Sequence, residues 1–269
     1  MVLTSAEGIK FPAYVLIPDR LRGKTPAVVA VHGHGYGKDD IVGILEDGTQ
    51  KAGPDGYQKD FALEIVRRGL LVIAPEVLGF GERREEKEKK QAANLNSCKD
   101  ASLFALEMGR TMIGLRVWDV MRCVDYLGTR LEVDSRRIGI MGISGGGMVS
   151  LFSAALEGRI TAAVVSGYLN TFQDSILAID HCLCNYMPGI LRYGEMYDVA
   201  SLIAPRPLLI ESSTRDEYFP FKASVYSFGQ VQKAYRVAGA EANLEKDFFR
   251  GRHQISGARA YDFLVEKLS

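Results

Sequence analysis

Apolar positions along the chain follow two rhythms. Short, nearly uninterrupted runs rich in Val, Ile, Leu and Ala lie at 27–31, 70–74, 137–141, 160–165 and 207–210. Runs of that length without polar alternation predict strands buried on both faces. Segments 11–18 and 243–249 predict a further early and a last strand. Between them the period lengthens to that of a helix. Phe61, Ile65 and Val66 share a face within 57–68, which Gly69 ends, and 112–127 predicts a largely buried helix. Met148, Leu151, Phe152 and Ala155 form the inner face of a helix beginning near Gly147, and Tyr261, Leu264, Val265 and Leu268 share a face of a final helix. Strands alternating with helices predict an α/β fold: a mostly parallel central sheet with helices on both faces and ligands at the carboxyl ends of the strands.

No internal repeat and no linker rich in proline, glycine or serine interrupts this pattern, so a single domain over 1–269 is expected. Two segments exceed ordinary loop length, 79–110 and 167–204, and long connections of that kind serve as lids or pocket walls near a site. The first contains the run Glu82 to Lys90, whose four acids and five bases nearly cancel and predict a solvated surface. The second carries Tyr168, Phe172, Tyr186, Met187, Ile190, Leu191 and Tyr193. Of these, Tyr168, Phe172, Tyr186, Met187 and Tyr193 are the candidates for a substrate pocket wall, with plain core packing as the alternative.

The chemistry concentrates at Gly142-Ile143-Ser144-Gly145-Gly146, which follows one apolar run and leads into a helix. A serine turned sharply between strand and helix sits in strained backbone, and small residues two positions to either side keep it clear of the neighbouring chain. Its neutral hydroxyl needs a histidine base oriented by a carboxylate. Four histidines exist. His32 and His34 precede the serine, which the chain order Ser, acid, His excludes, and His181 precedes the late strands. His253 remains, after the last strand. For the acid, Asp216 on the loop beyond the 207–210 strand is the first candidate, with Glu217, Glu211, Asp174 and Asp180 as alternatives.

An oxyanion requires two fixed donors. The N–H of Gly145, just after the serine, is one, and the N–H of His34 between two glycines is the other candidate. Two histidines at i, i+2 would also suit a metal, but no further ligand cluster is spaced along the sequence to complete one, so none is expected.

With these residues in place, the chain resembles α/β-hydrolase fold enzymes of the dienelactone hydrolase and acetyl xylan esterase type. The resemblance rests on His32-Gly33-His34-Gly35, on 116–127 before Val133-Asp134-Ser135-Arg136-Arg137-Ile138-Gly139, on 142–146, on Ile203-Ala204-Pro205-Arg206-Pro207, and on 216–220 followed by His253. It covers nearly the whole length. Dienelactone hydrolases proper use a cysteine nucleophile, and Ser144 shifts the likeness toward the esterase branch. The expected activity is a serine carboxylesterase without metal or organic cofactor, in which Ser144 attacks, His253 moves the proton and Asp216 orients it. A peptidase resembling the prolyl oligopeptidase catalytic domain, or a non-catalytic binding module on the same scaffold, are the alternatives.

Composition changes little in this picture. With 33 basic and 33 acidic residues, net charge gives no reason to expect nucleic acid as a partner. No stretch approaches the length of apolar sequence a membrane span needs, and a basic, apolar leader is lacking, so a cytoplasmic protein acting on a small-molecule ester is expected. No heptad or interface pattern specifies an oligomeric state. Cys98, Cys123, Cys182 and Cys184 read as reduced thiols; Cys182-Leu183-Cys184 beside His181 offers a metal or redox motif, against the commoner role of cysteine as a small apolar residue.

Overall fold

Ala27, Val29 and Val31 of strand β3 (Thr25–Val31) pack into one core, and Val28 and Ala30 into a second. Successive side chains of a strand point to opposite faces, so a run without alternation is the signature of a sheet covered twice. The computed structural model describes residues 1–6, 8–21 and 23–269. It places β3 near the middle of an eight-stranded sheet of order β1-β2-β4-β3-β5-β6-β7-β8. The other strands are β1 (Val2–Thr4), β2 (Lys10–Leu16), β4 (Leu71–Pro75), β5 (Val133–Ile143), β6 (Ile160–Ser166), β7 (Leu208–Ser213) and β8 (Leu244–Phe249). Pairs β1–β2 and β2–β4 are antiparallel and all later pairs are parallel.

The helices are α1 (Phe61–Arg67), α2 (Glu86–Lys89), α3 (Cys98–Glu107), α4 (Met112–Thr129), α5 (Gly145–Leu156), α6 (Met196–Ser201), α7 (Phe221–Val237) and α8 (Ala260–Leu268). Buried side chains of α4, α5, α6 and α7 join the core of Val29, and those of α1 and α8 join the core of Val28. The chain therefore winds the sheet in both directions from β3, once to β4 and once to β5. That reversal of strand order opens a crevice at the carboxyl ends of β3 and β5.

The expected α/β architecture stands, with local differences. Helix α1 starts at Phe61 rather than 57 because Lys59 and Asp60 adopt left-handed backbone, with φ of 49° and 47°, which no helix continues through. Strand β1 is too short to carry a period. Helix α7 escapes the apolar rhythm because Ser224 and Ser227 occupy buried positions on its inner face. The charged run is only partly solvated, since the Arg83 guanidinium is buried against Asp119 at 2.6 Å. Among the described residues no helix is long and apolar enough to cross a membrane.

Candidate active site

Ser144 sits between β5 and α5 with φ 57° and ψ −120°, left-handed backbone in a residue that is not glycine. The flanking glycines explain how it is tolerated. A Cβ on Gly146 would overlap the Val31 carbonyl oxygen and come within 2.7 Å of that of His32, and one on Gly142 would overlap the Gly146 carbonyl. The turn thus packs directly on β3, and the Ser144 N–H is fixed by the Ser166 carbonyl at 3.0 Å. Backbone strain of this kind persists only where its surroundings over-determine it.

His253 lies in the loop between β8 and α8, its ring against Gly167 just beyond the end of β6. Its Nδ1 stands 2.7 Å from Asp216 Oδ2, and both side chains are largely buried. The other carboxylate oxygen of Asp216, Oδ1, accepts the N–H groups of Tyr218 at 2.9 Å and Phe219 at 3.0 Å. The aspartate is therefore a turn residue and a histidine partner at once, one oxygen for each. Tyr57 and Phe219 lie near-parallel to the imidazole at centroid distances of 5.5 and 5.7 Å, and Tyr218 meets it edge-on at 5.1 Å. Three of the other candidate acids are engaged elsewhere, and the fourth, Asp180, lines the same pocket as His253. Glu217 pairs with Arg252 at 2.6 Å on the surface, Asp174 bonds Thr171, and buried Glu211 takes the Ser166 hydroxyl and the Gly257 N–H. Burial raises the Glu211 carboxyl above its usual range, opposed by those hydrogen bonds.

The loop after β3 separates its two histidines. His32 is buried, with Nδ1 2.8 Å from the Gly33 carbonyl and Nε2 3.0 Å from the Val77 nitrogen and 3.1 Å from Glu76, so both ring nitrogens are committed inside the protein. The Gly33 N–H donates to Gln58 Oε1 at 2.6 Å, and Gln58 in turn is held by Asp40, which Lys51 bridges to Asp60. The His34 carbonyl accepts the Tyr57 hydroxyl. Among the described residues neither the His34 nor the Gly145 N–H finds a hydrogen-bond acceptor. Two backbone donors thus remain free on the two chain segments that flank the crevice.

A cavity of about 510 Å³ opens over these groups, lined by His34, Tyr57, Ser144 and His253 together with Glu217, Tyr218, Phe219 and Arg252. Ile179, Asp180, His181 and Cys182 complete it from the 167–204 segment. The five residues expected to wall it do not. Tyr168 and Phe172 are core residues, Tyr186, Met187 and Phe172 border a separate small cavity of about 150 Å³, and Tyr193 is 87% exposed. The segment does reach the cavity, but through 179–182, where no periodic or aromatic signal marks the sequence. Tyr218 and Phe219 had a signal, their adjacency to Asp216. Tyr57 had none.

A second cluster adjoins the first. The fold brings Cys98, at the start of α3, and Cys182 and Cys184 beside His34, with one ligand atom from each within 4.8 Å of every other. The absence of ligand spacing along the sequence is thereby corrected in space: the set is assembled from three separate segments, of which only Cys182-x-Cys184 was adjacent in sequence. Burial would depress the His34 imidazole, but hydrogen bonds to the Cys184 and Cys98 sulfurs carry it up to about 9. Hydrogen bonding from Cys182 and Cys98, with the Arg116 charge beside it, holds the Cys184 thiol well below its usual range despite burial. His181, by contrast, is pushed down by burial and by the neighbouring His34.

Comparison with known proteins follows this geometry. A family model described as Abhydrolase family matches residues 6–261. A protein of Bacillus subtilis (strain 168), provisionally described as the hydrolase YtaP, is 29% identical over 251 residues, 85% of this chain and 76% of that one. The solved structure of a protein provisionally described as an acetyl xylan esterase, from Bacteroides fragilis NCTC 9343, is similar with a TM-score of 0.77 at 20% identity. The match covers 92% of this chain and 64% of that one, so this chain spans a little less than two thirds of its relative. One provisionally described as a dienelactone hydrolase, from Klebsiella pneumoniae subsp. pneumoniae MGH 78578, gives a TM-score of 0.59 at 18% identity over 98% of this chain and 89% of that one. At such identities the likeness is one of fold.

Proposed function

The chain belongs to the Abhydrolase family, and on that premise we propose that it is a serine carboxylesterase working through an acyl-enzyme. Ser144 Oγ attacks the ester carbonyl while His253 Nε2 takes its proton. Asp216, bonded to Nδ1, fixes the tautomer and stabilises the imidazolium that forms. The free His34 and Gly145 amides receive the oxyanion. His253 then returns the proton to the departing alcohol, and water, activated by the same imidazole, releases the acid. The observation that carries this reading is the short Asp216–His253 bond opening onto the cavity that Ser144 also lines.

The cavity wall supports a polar alcohol. Aromatic side chains of Tyr57, Tyr218 and Phe219 share the wall with Asp180, His181, Glu217 and Arg252, a lining suited to a hydroxyl-rich leaving group rather than to a long acyl chain. The name of the acetyl xylan esterase relative points the same way. The test is a panel of acetylated sugars, short and long aryl esters and peptide amides with purified protein. Acetyl esters should turn over, and Ser144→Ala should lower that turnover by roughly 10⁶-fold. Hydrolysis of amides in preference to esters would favour a peptidase, and ester turnover surviving Ser144→Ala would overturn the proposal.

A further inference from the structure

Buried Arg116 shows what the chemistry of the thiol cluster requires. The residue is 2% exposed on α4, its guanidinium donates to the Leu78 carbonyl, and Nη2 lies 3.1 Å from Cys98 Sγ. Among the described residues it makes no ion pair with a carboxylate, although the chain pairs most of its other arginines in that way. Among the described residues its Nη1 has no hydrogen-bond partner. A guanidinium kept dry needs negative charge nearby, and the groups on hand are sulfurs.

We propose that His34 Nε2 and the sulfurs of Cys98, Cys182 and Cys184 form a closed, four-ligand site for a zinc-type divalent cation. Tetrahedral bonds of the usual Zn–S and Zn–N length separate their ligand atoms by roughly 3.5 to 3.8 Å. Cys184 Sγ stands 3.8 Å from His34 Nε2 and 3.2 Å from Cys182 Sγ, and all four donors lie within 4.8 Å, so side-chain adjustments of about an ångström close the tetrahedron. Three sulfurs and one imidazole make a soft donor set that selects zinc over magnesium or calcium. Charge closes as well: three thiolates, the Arg116 guanidinium and one divalent cation sum to neutrality, which a buried site favours. The Asn185 amide, 3.6 Å from Cys184 Sγ, supplies an outer N–H toward that sulfur.

Four protein ligands leave no open position, so the role is structural. The ion would tie the 167–204 segment and the start of α3 to the loop that carries the free His34 amide. His34 Nε2 serves the ion, and its backbone N–H stays available to the cavity.

The test is metal stoichiometry on the full chain, reduced and stripped with chelator, then titrated with Zn²⁺ or Co²⁺. The expected result is one equivalent bound, intense thiolate-to-cobalt absorption with tetrahedral d–d bands, and a raised Tm. Cys98→Ser, Cys182→Ser and Cys184→Ser should each weaken Zn²⁺ binding by more than about 100-fold, beyond the loss from an outer partner. Ser144→Ala should bind Zn²⁺ like the parent, which separates this site from the esterase reading. Sub-stoichiometric uptake by the reduced parent would overturn the proposal, as would an octahedral cobalt spectrum. So would a Cys182–Cys184 disulfide found by peptide mapping in protein purified without oxidant, since it would assign these sulfurs to redox chemistry.

Discussion

The serine turn and the 167–204 segment meet at one cavity, yet they are built in opposite ways. The turn is local: the end of β5 and the start of α5, one glycine against β3, another against α5 and a strained serine between them leave almost no freedom. The segment is assembled at a distance. Its short turn of Leu183–Asn185 is placed by contacts with α3, α4 and the loop after β3 rather than by its own period. On the proposed reading, chemistry that tolerates no positional error is carried by regular elements, and the cavity wall by connections that can vary.

The largest expected contrast lies between neighbouring acids. Asp216→Asn keeps an oxygen for the Tyr218 and Phe219 amides but sets an N–H donor against His253, so folding should persist while turnover falls by roughly 10⁴-fold through the wrong tautomer. Glu217→Gln, which loses an exposed pair with Arg252 at the cavity wall and no contact with His253, should leave kcat within a few-fold and act mainly on KM. Equal damage from both, measured as kcat on folded protein, would erase the distinction between the buried and the surface carboxylate.

A smaller contrast separates backbone from side chain on the loop after β3. A Cβ at Gly33 would overlap the Tyr57 hydroxyl and lie 2.8 Å from the Ile143 carbonyl. Gly33→Val should therefore shift the His34 N–H and cost roughly 10² to 10³ in turnover, or about 2.7 to 4 kcal/mol. His34→Ala, compared with the parent after both are stripped of metal, keeps the N–H and should cost clearly less. Inactivation of metal-free His34→Ala to the level of Ser144→Ala, with the metal-free parent still active, would make the imidazole itself part of the reaction.

The smallest effect belongs to the segment. Among the described residues the buried Tyr168 hydroxyl has no hydrogen-bond partner, so Tyr168→Phe should be neutral or stabilising by up to about 1 kcal/mol in urea unfolding. A loss of that size would show that the segment holds its tyrosine by an interaction of the same specificity as the serine turn.

Legibility followed the same division. The run Val28 to Val31 and the glycines around Ser144 act through their immediate neighbours, and a linear pattern records such constraints. Chain order singled out His253, and position after a strand singled out Asp216, the pair that meets at 2.7 Å. Tyr57 and 179–182 face the cavity only because distant strands bring them there, and no local period encodes that. The aromatic residues of the segment misled because large apolar side chains serve core and pocket equally well: Tyr168 and Phe172 went to the core. Cys98 and Cys184 lie in separate segments, and the three-dimensional meeting of their thiols with His34 leaves no trace in spacing.

The most direct test is to trap the covalent intermediate. Purified protein is mixed rapidly with an acetyl ester, quenched in acid within the first turnovers, and digested for mass spectrometry. One acetyl group per chain on the peptide containing Ser144, absent in Ser144→Ala and slow to appear in Asp216→Asn, is the expected result. Acetyl carried instead by Cys182, a residue of the same cavity wall, would contradict the account, as would ester turnover with no acylated residue.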